Sequence, residues 1–138
     1  MTTYLDTSVV LRWVLGAPDA LPRPADDAPH VTSRLTVVET LHTLDRLRRR
    51  GQLSERDYAD RHGVAVRLLE RVDRVHLYMA VLRRAADPFP APVGTLDAIH
   101  LSTALQVRDS HGVEVVLATH DRELAHAARA VGLDVVGA

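Results

Sequence analysis

Apolar positions along the chain alternate between the spacing of strands and the spacing of helices. Short strands are predicted over residues 2–5, 74–76, 113–118 and 133–136, with 113–118 apolar enough to be buried on both faces. Helical spacing predicts a first helix through residues 9–14, a second over 34–50 and a third that begins after 54. Further helices are predicted over 79–86, 96–108 and 124–130. Strands that alternate with helices predict an α/β fold, with a mainly parallel sheet covered on both faces.

Polar caps and glycines mark the ends of these helices. Thr7 or Ser8 can cap the first helix, and Ser33 and Ser54 stand where later helices begin. Helix ends are predicted at Gly16, Gly51, Gly112 and Gly132. The stretch 16–29 holds four prolines and predicts a surface loop that leads directly to Ser33. This loop lies too near the N-terminus to separate two domains, so we expect one domain over residues 1–138.

Composition removes several classes of protein. The chain has no cysteine, which excludes disulfides, thiolate zinc sites and cysteine nucleophiles. It has no apolar run long enough to span a membrane, and its start, MTTYLDTSVV, lacks the features of a signal peptide, so we expect a cytoplasmic protein. Serine hydrolases and nucleotide-binding enzymes are disfavoured because the G-x-S-x-G, P-loop and G-x-G-x-x-G motifs are absent.

The basic residues are unusual, because all 17 are arginine and none is lysine. Guanidinium groups suit phosphate, so an RNA partner is compatible with this composition, although a GC-rich coding bias also explains it. Receiver domains and haloacid-dehalogenase-like phosphatases are disfavoured, since both use a lysine beside the phosphorylated aspartate. The single E-x-x-H at Glu39 and His42 does not indicate a di-iron bundle, which needs two such motifs on an all-helical scaffold. The dipeptide His120–Asp121 does not indicate an HD phosphohydrolase, because those proteins are all-helical.

Four acids stand where an α/β fold can bring them together. Asp6 ends the first strand, and Asp121 lies three residues beyond the strand that ends at Ala118. Ligands of open α/β sheets bind beyond the carboxyl ends of the strands, so both acids point to one rim. Asp97 begins a helix with an inward apolar stripe, and Glu39 lies within the apolar segment TVVETL.

Clustered carboxylates repel one another, and divalent cations reverse that repulsion. Mg²⁺ and Mn²⁺ prefer oxygen ligands, and they can activate water for attack on a phosphodiester. Taken singly, each acid also has a structural explanation. Asp6 and Asp121 can cap helices, Asp97 can serve the helix dipole, and Glu39 can lie at the surface edge of its stripe.

Four segments carry a family resemblance, and they are YLDTSVVLRW, SRLTVVETL, TLDAIHLSTAL and VVLATHDREL. In this order and spacing they resemble the acidic motifs of PIN-domain ribonucleases, especially the VapC-type toxins of bacterial toxin–antitoxin pairs. The resemblance covers essentially the whole chain. It implies a three-layer α/β/α sandwich and metal-dependent endonucleolytic hydrolysis of RNA, which leaves a 5′-phosphate and a 3′-hydroxyl.

The resemblance also implies site residues and partners. It assigns the metal-binding acids to Asp6, Glu39, Asp97 and Asp121, with Mg²⁺ or Mn²⁺ as cofactor, and an assisting hydroxyl to Thr119. Capping of the last helix is an equally good explanation of Thr119. The implied partners are an RNA substrate, a cognate antitoxin whose tail fills the groove, and a second copy of the chain.

Several arginines are candidates for RNA contact. Arg12 stands one turn beyond Ser8, near the expected rim, and both are candidate substrate-binding residues. An arginine cluster lies at the end of the second helix. It can bind RNA phosphates or the antitoxin, or it can complement the helix dipole, and we favour the role at the dipole. The cluster comprises Arg46, Arg48, Arg49 and Arg50. The main rival function is a non-catalytic module that keeps the fold and binds RNA or protein; the four acids argue against it, because an inactive copy would be free to lose them.

Overall fold

Strands and helices alternate along all 138 residues, which the computed structural model describes throughout. The strands are β1 (Thr2–Leu5), β2 (His30–Ser33), β3 (Asp73–Val75), β4 (Val115–Ala118) and β5 (Asp134–Val136). The helices are α1 (Thr7–Leu15), α2 (Arg34–Arg49), α3 (Glu55–Glu70), α4 (Met79–Ala86), α5 (Thr95–His111) and α6 (Arg122–Ala130). No helix combines the length and the apolar character that a membrane crossing requires.

The five strands form one parallel sheet in the order β3-β2-β1-β4-β5. The chain builds outward from β1 through β2 to β3, and then returns to the other side of β1 to add β4 and β5. The strand order therefore reverses between β1 and β4, where a crevice forms beyond the carboxyl ends of the strands. The predicted parallel α/β fold is confirmed.

Alternating side chains of the central strands give the sheet two apolar faces. Tyr4 and Leu117 point into a core built with α5 and α6, and Leu5 and Ala118 point into a second core built with α1, α2 and α3. Helices on both faces of one sheet make the three-layer sandwich that the motifs implied. β4 begins two residues later than predicted because Glu114 is exposed.

The start of α1 corrects one sequence prediction. Asp6, rather than Thr7 or Ser8, is the N-cap, with extended backbone (φ −72°, ψ 155°) and a carboxylate that accepts from the Ser8 backbone N–H at 3.4 Å. The predicted end at Gly16 is confirmed, since Gly16 adopts the left-handed conformation (φ 67°) that favours glycine. Ser33 and Ser54 cap α2 and α3 as predicted.

Strand β2 was not predicted. It runs straight into α2 without a turn, and Ser33 is both its last residue and the cap of the helix. Its sequence, HVTS, has one aliphatic residue and gives no apolar alternation. The strand exists because parallel pairing with β1 on one side and β3 on the other completes the sheet.

Candidate active site

The crevice between β1 and β4 contains the first group of predicted site residues. Asp6 directly follows β1, and Thr119 and Asp121 follow β4. The backbone N–H of Asp6 donates to the Ala118 carbonyl at 3.0 Å, so the two strand ends are held together where these side chains emerge.

Asp6 is buried, with only 5% of its surface exposed, and the protein grips one of its two oxygens. Oδ2 accepts hydrogen bonds from the Ser8 hydroxyl at 2.7 Å and the Thr119 hydroxyl at 2.9 Å. Oδ1 has no such donor, and Nε2 of His100 lies 3.7 Å from it. The carboxylate is thus fixed through one oxygen and leaves the other available.

Thr119 connects Asp6 to Asp121. Its hydroxyl donates to Asp6 and accepts from the Asp121 backbone N–H at 3.0 Å. Asp121 is the N-cap of α6, because its Oδ1 accepts from the Leu124 N–H at 3.0 Å. Asp121 therefore has the helix-capping role considered for it. Capping uses Oδ1 and leaves Oδ2 without a protein donor.

Gly137, just after β5, packs against this loop. Its φ is 99°, and a Cβ built on it would stand 2.5 Å from the Thr119 carbonyl oxygen. Only glycine allows the chain to pass so close behind Thr119. This role of Gly137 could not be predicted from the sequence, where it is a lone glycine near the C-terminus.

Glu39 reaches the crevice from α2, with 23% of its side chain exposed. Its Oε1 accepts from the Thr7 hydroxyl at 2.8 Å and contacts His100 Nε2 at 2.5 Å. Both contacts use the same oxygen, so Oε2, like Oδ1 of Asp6, has no protein donor. Burial tends to raise the pKa of Glu39, but the hydrogen bond and charge of His100 outweigh it, and the pKa is lowered.

His100 is the functional-site residue that sequence reasoning missed. It lies on α5, one turn after Asp97, and is 1% exposed. Nε2 contacts Glu39, and Nδ1 lies 2.8 Å from the hydroxyl of the fully buried Tyr4. Burial tends to lower the pKa of His100, but the hydrogen bond to Glu39 and the charge of Asp6 raise it overall. The available signal was a histidine within the inward stripe of the motif TLDAIHL.

Asp97 brings the fourth carboxylate to the same crevice from the first turn of α5. Burial and then the negative charge of Asp121, followed by that of Asp6, raise the pKa of Asp97 to about 6. The charge of His100 opposes this rise, and Glu39 makes a smaller contribution to it. A carboxylate responds to other carboxylates in this way only when they lie near it. Asp121, Asp6 and Glu39 therefore lie close enough to Asp97 for their charges to act on it.

The donor chemistry of this site fits a hard divalent cation. Every candidate ligand is a carboxylate oxygen, and in Asp6, Glu39 and Asp121 one oxygen is held by the protein while the other is open. The pKa of Asp97 is raised by burial and then by repulsion from the other carboxylates, and a cation would relieve that repulsion. No three of the side chains, as arranged here, gather closely enough around one point to hold an ion. The fit therefore rests on donor type and charge.

The remaining candidate residues fall into two groups. Ser8 lies inside the site, because its hydroxyl donates to Asp6 and accepts from the His120 N–H at 3.0 Å. Arg12 lies beside it, paired with Asp19 at 3.1 Å and about one-third exposed. Burial, reinforced by the positive charge of Arg12, lowers the pKa of His120, so Arg12 also borders this loop.

The arginine cluster at the end of α2 is engaged elsewhere. Arg48 pairs with Asp45 and lies over the Tyr58 ring, with its guanidinium carbon 4.4 Å from the ring centroid. Arg49 pairs with Asp45 at 2.8 Å. These contacts favour the structural interpretation of the cluster.

Comparison with known proteins decides the family. The family model described as PIN domain matches residues 3–130. The chain belongs to the PIN-domain family. This PIN domain is 33% identical over 137 residues to Ribonuclease VapC46 of Mycobacterium tuberculosis, covering 96% of this chain and 95% of that protein. It is likewise 33% identical to Ribonuclease VapC35 of the same species, covering 96% and 94%.

A solved structure shares the fold of this PIN domain. It is the crystal structure of PAE2754 from Pyrobaculum aerophilum, with a TM-score of 0.67 over 99% of this chain and 84% of that one. Sequence identity between the two is 20%, so the likeness concerns the fold. The resemblance to VapC-type PIN domains that the four motifs carried is confirmed.

Proposed function

We propose that this chain is a metal-dependent endoribonuclease that hydrolyses RNA phosphodiester bonds as the toxin of a toxin–antitoxin pair. The observation that carries the proposal is the convergence of acids beyond the ends of β1 and β4: the Thr119 hydroxyl links Asp6 to Asp121, and Nε2 of His100 lies beside both Asp6 and Glu39. The raised pKa of Asp97 supports its nearness to the other acids. RNA as the substrate is supported by the relatives, which are named Ribonuclease VapC46 and Ribonuclease VapC35. With RNA as its target, the enzyme is proposed to work in the cytoplasm.

The proposed cofactor is Mg²⁺ or Mn²⁺, held by the four acids. Held by these acids, such an ion would activate water for attack on the phosphodiester and would stabilise the leaving oxygen of the in-line displacement. The chain needs no side-chain nucleophile, and the two hydroxyls in the site are already engaged: both Ser8 and Thr119 donate to Asp6 Oδ2. Their proposed role is to fix Asp6 so that Oδ1 faces the ion. Arg12 is proposed to contact a phosphate of the substrate.

The proposed protein partner is a cognate antitoxin, and a dimer of this chain is the proposed assembly. Both follow from the resemblance to VapC-type toxins. Expression of the chain alone should be toxic and create new RNA 5′ ends, and co-expression of the neighbouring small reading frame should relieve both effects. Toxicity that the neighbouring protein does not relieve would contradict the antitoxin assignment while leaving the nuclease activity intact.

Metal dependence is the direct test of the proposed activity. The purified protein should cleave single-stranded RNA with Mn²⁺ or Mg²⁺ present and lose activity in excess chelator. Mn²⁺ at 100 times its dissociation constant should also raise the free energy of unfolding by about 2.7 kcal/mol, because the ion binds only the folded state. A protein that binds RNA but neither cleaves it nor responds to Mn²⁺ would instead be a non-catalytic binding module.

Thr119 offers a test of the hydroxyl that fixes Asp6. Thr119→Val keeps the shape of the buried side chain but removes the donor to Asp6 and the acceptor for the Asp121 N–H. We expect a loss of about 1–3 kcal/mol in the free energy of unfolding and weaker Mn²⁺ binding by about tenfold. Thr119→Ser is the matched control, since it keeps the hydroxyl. Equal Mn²⁺ affinity in all three proteins would contradict a role for this hydroxyl at the ion.

A further inference from the structure

A series of hydrogen bonds between side chains connects the sheet to the open rim of the site. It runs from the Tyr4 hydroxyl to Nδ1 of His100 at 2.8 Å, and from Nε2 of His100 to Oε1 of Glu39 at 2.5 Å. Tyr4 is 0% exposed and His100 is 1% exposed. These hydrogen bonds join β1, α5 and α2. Tyr4 and His100 are 96 positions apart in the sequence.

The arrangement fixes both ring nitrogens of His100. Tyr4 binds one nitrogen and Glu39 binds the other, so rotation of the imidazole is blocked from both sides. The Thr7 hydroxyl lies 3.2 Å from Nε2 and donates to the same Glu39 oxygen at 2.8 Å. Oε1 of Glu39 is therefore held in one place, and the position of Oε2 follows from it.

A purely structural role explains these contacts less well. Burying an imidazole and a phenol hydroxyl costs free energy unless both are hydrogen-bonded, and apolar side chains of similar size would fill the same space without that cost. Glu39 does not need His100 for solvation, because 23% of its side chain is exposed to water. These hydrogen bonds end on the Glu39 carboxylate, whose Oε2 accepts no hydrogen bond from the protein, and Nε2 of His100 also lies 3.7 Å from Oδ1 of Asp6. Positioning of Glu39 has a use beside a second acid of this kind.

We propose that His100 is a positioning residue that, anchored by Tyr4, orients the Glu39 carboxylate toward the divalent cation. The inference rests on the proposed nuclease function and adds to it a residue outside the four acids. His100 does not touch the substrate or the ion in this role. It acts by limiting the conformations of Glu39, so its loss weakens ion binding and leaves the chemical step unchanged once the ion is bound.

The experiment measures Mn²⁺ affinity by calorimetry and RNA cleavage as a function of Mn²⁺ concentration, both on the full chain. His100→Leu removes the donor to Glu39, and His100→Gln places an amide donor near the position of Nε2. His126→Leu is the matched control, since His126 is exposed on α6. We expect His100→Leu to weaken Mn²⁺ binding by about 10–100-fold, as replacement of groups behind metal ligands does elsewhere. His100→Gln should recover most of that loss.

At saturating Mn²⁺, the kcat of each folded variant should approach that of the unsubstituted protein, an outcome that general damage to the site would not give. Unchanged Mn²⁺ affinity in His100→Leu, or no recovery in His100→Gln, would overturn the inference while the proposed function stands. A parent protein that binds no Mn²⁺ overturns both.

Tyr4→Phe keeps the inference testable if the His100 variants do not fold. It removes only the hydroxyl that anchors Nδ1 and preserves the buried ring. We expect Mn²⁺ binding about three- to tenfold weaker, which corresponds to the loss of one hydrogen bond. If Tyr4→Phe binds Mn²⁺ as tightly as the parent protein, Tyr4 does not anchor His100, and the proposed positioning of Glu39 through His100 is overturned.

Discussion

Asp97→Asn should make the metal-free protein more stable and, in the same variant, reduce RNA cleavage by more than about a hundredfold. The two effects have one cause. Burial and the charges of Asp121 and Asp6 raise the pKa of Asp97 to about 6, so at neutral pH the ionised carboxylate destabilises the folded protein relative to the unfolded state. Asparagine has the same shape without the charge, so it removes both the repulsion and the ligand.

The pH dependence of stability follows from the direction of this shift. The folded state holds the Asp97 proton more tightly than the unfolded state, whose pKa is near the ordinary 3.8. The penalty is therefore absent below about pH 4 and grows to its full value as the pH rises through about 6. A shift of this size corresponds at most to about 3 kcal/mol, and because the carboxyl is only half-buried we expect about 1–2 kcal/mol.

Urea unfolding in excess chelator at pH 4.5 and pH 7.5 measures this effect. The free energy of unfolding of Asp97→Asn should exceed that of the parent protein at pH 7.5, and the difference should shrink at pH 4.5. Asp60→Asn is the control, since Asp60 is exposed on α3 and should change neither stability nor cleavage. An Asp97→Asn protein that is less stable at pH 7.5, or that still cleaves RNA with added metal, would contradict the assignment of Asp97.

The fold could be predicted from the sequence wherever the signal is local. The helix ends at Gly16 and Gly112 depend on a single residue with a left-handed backbone, and the caps at Ser33 and Ser54 depend on one hydroxyl. Strand β2 could not be predicted, because its sequence is mostly polar and its stability comes from pairing with β1 and β3. A strand of this kind is specified by its neighbours.

The difference between local signals and contacts with distant residues also decides which site residues could be predicted. The four acids stand out because each occupies an element end or an apolar segment, and their motifs carry the family resemblance. His100 does not, because a histidine within an apolar stripe has the same sequence signature whether it fills a core or serves a site. Its importance depends on contacts with Tyr4 and Glu39 across three elements. The cap of α1 is Asp6, which the sequence offered as the structural explanation of this acid, while Thr7 and Ser8 were the caps predicted from the helical pattern.

Asp6→Ala should abolish cleavage and, in contrast to Asp97→Asn, destabilise the protein. Asp6 is 5% exposed, and its Oδ2 is the acceptor for the hydroxyls of Ser8 and Thr119. Alanine removes the N-cap of α1 and leaves a buried hydroxyl without this acceptor. The free energy of unfolding should fall by about 2–4 kcal/mol, measured by urea unfolding in chelator, and Asp27→Ala in the exposed loop is the control.

The expected changes in the free energy of unfolding have opposite signs for Asp6→Ala and Asp97→Asn. This difference distinguishes the proposed site from a set of acids with only structural roles. Surface carboxylates of no special role would change stability little in either direction. Asp6 is held by donors that stabilise the fold. Burial and the neighbouring carboxylates destabilise the ionised form of Asp97, the charge of His100 offsets this in part, and a bound cation would offset it further. Added Mn²⁺ should therefore stabilise the parent protein and neither variant. Equal stabilisation of all three by Mn²⁺ would mean that the ion binds elsewhere on the protein.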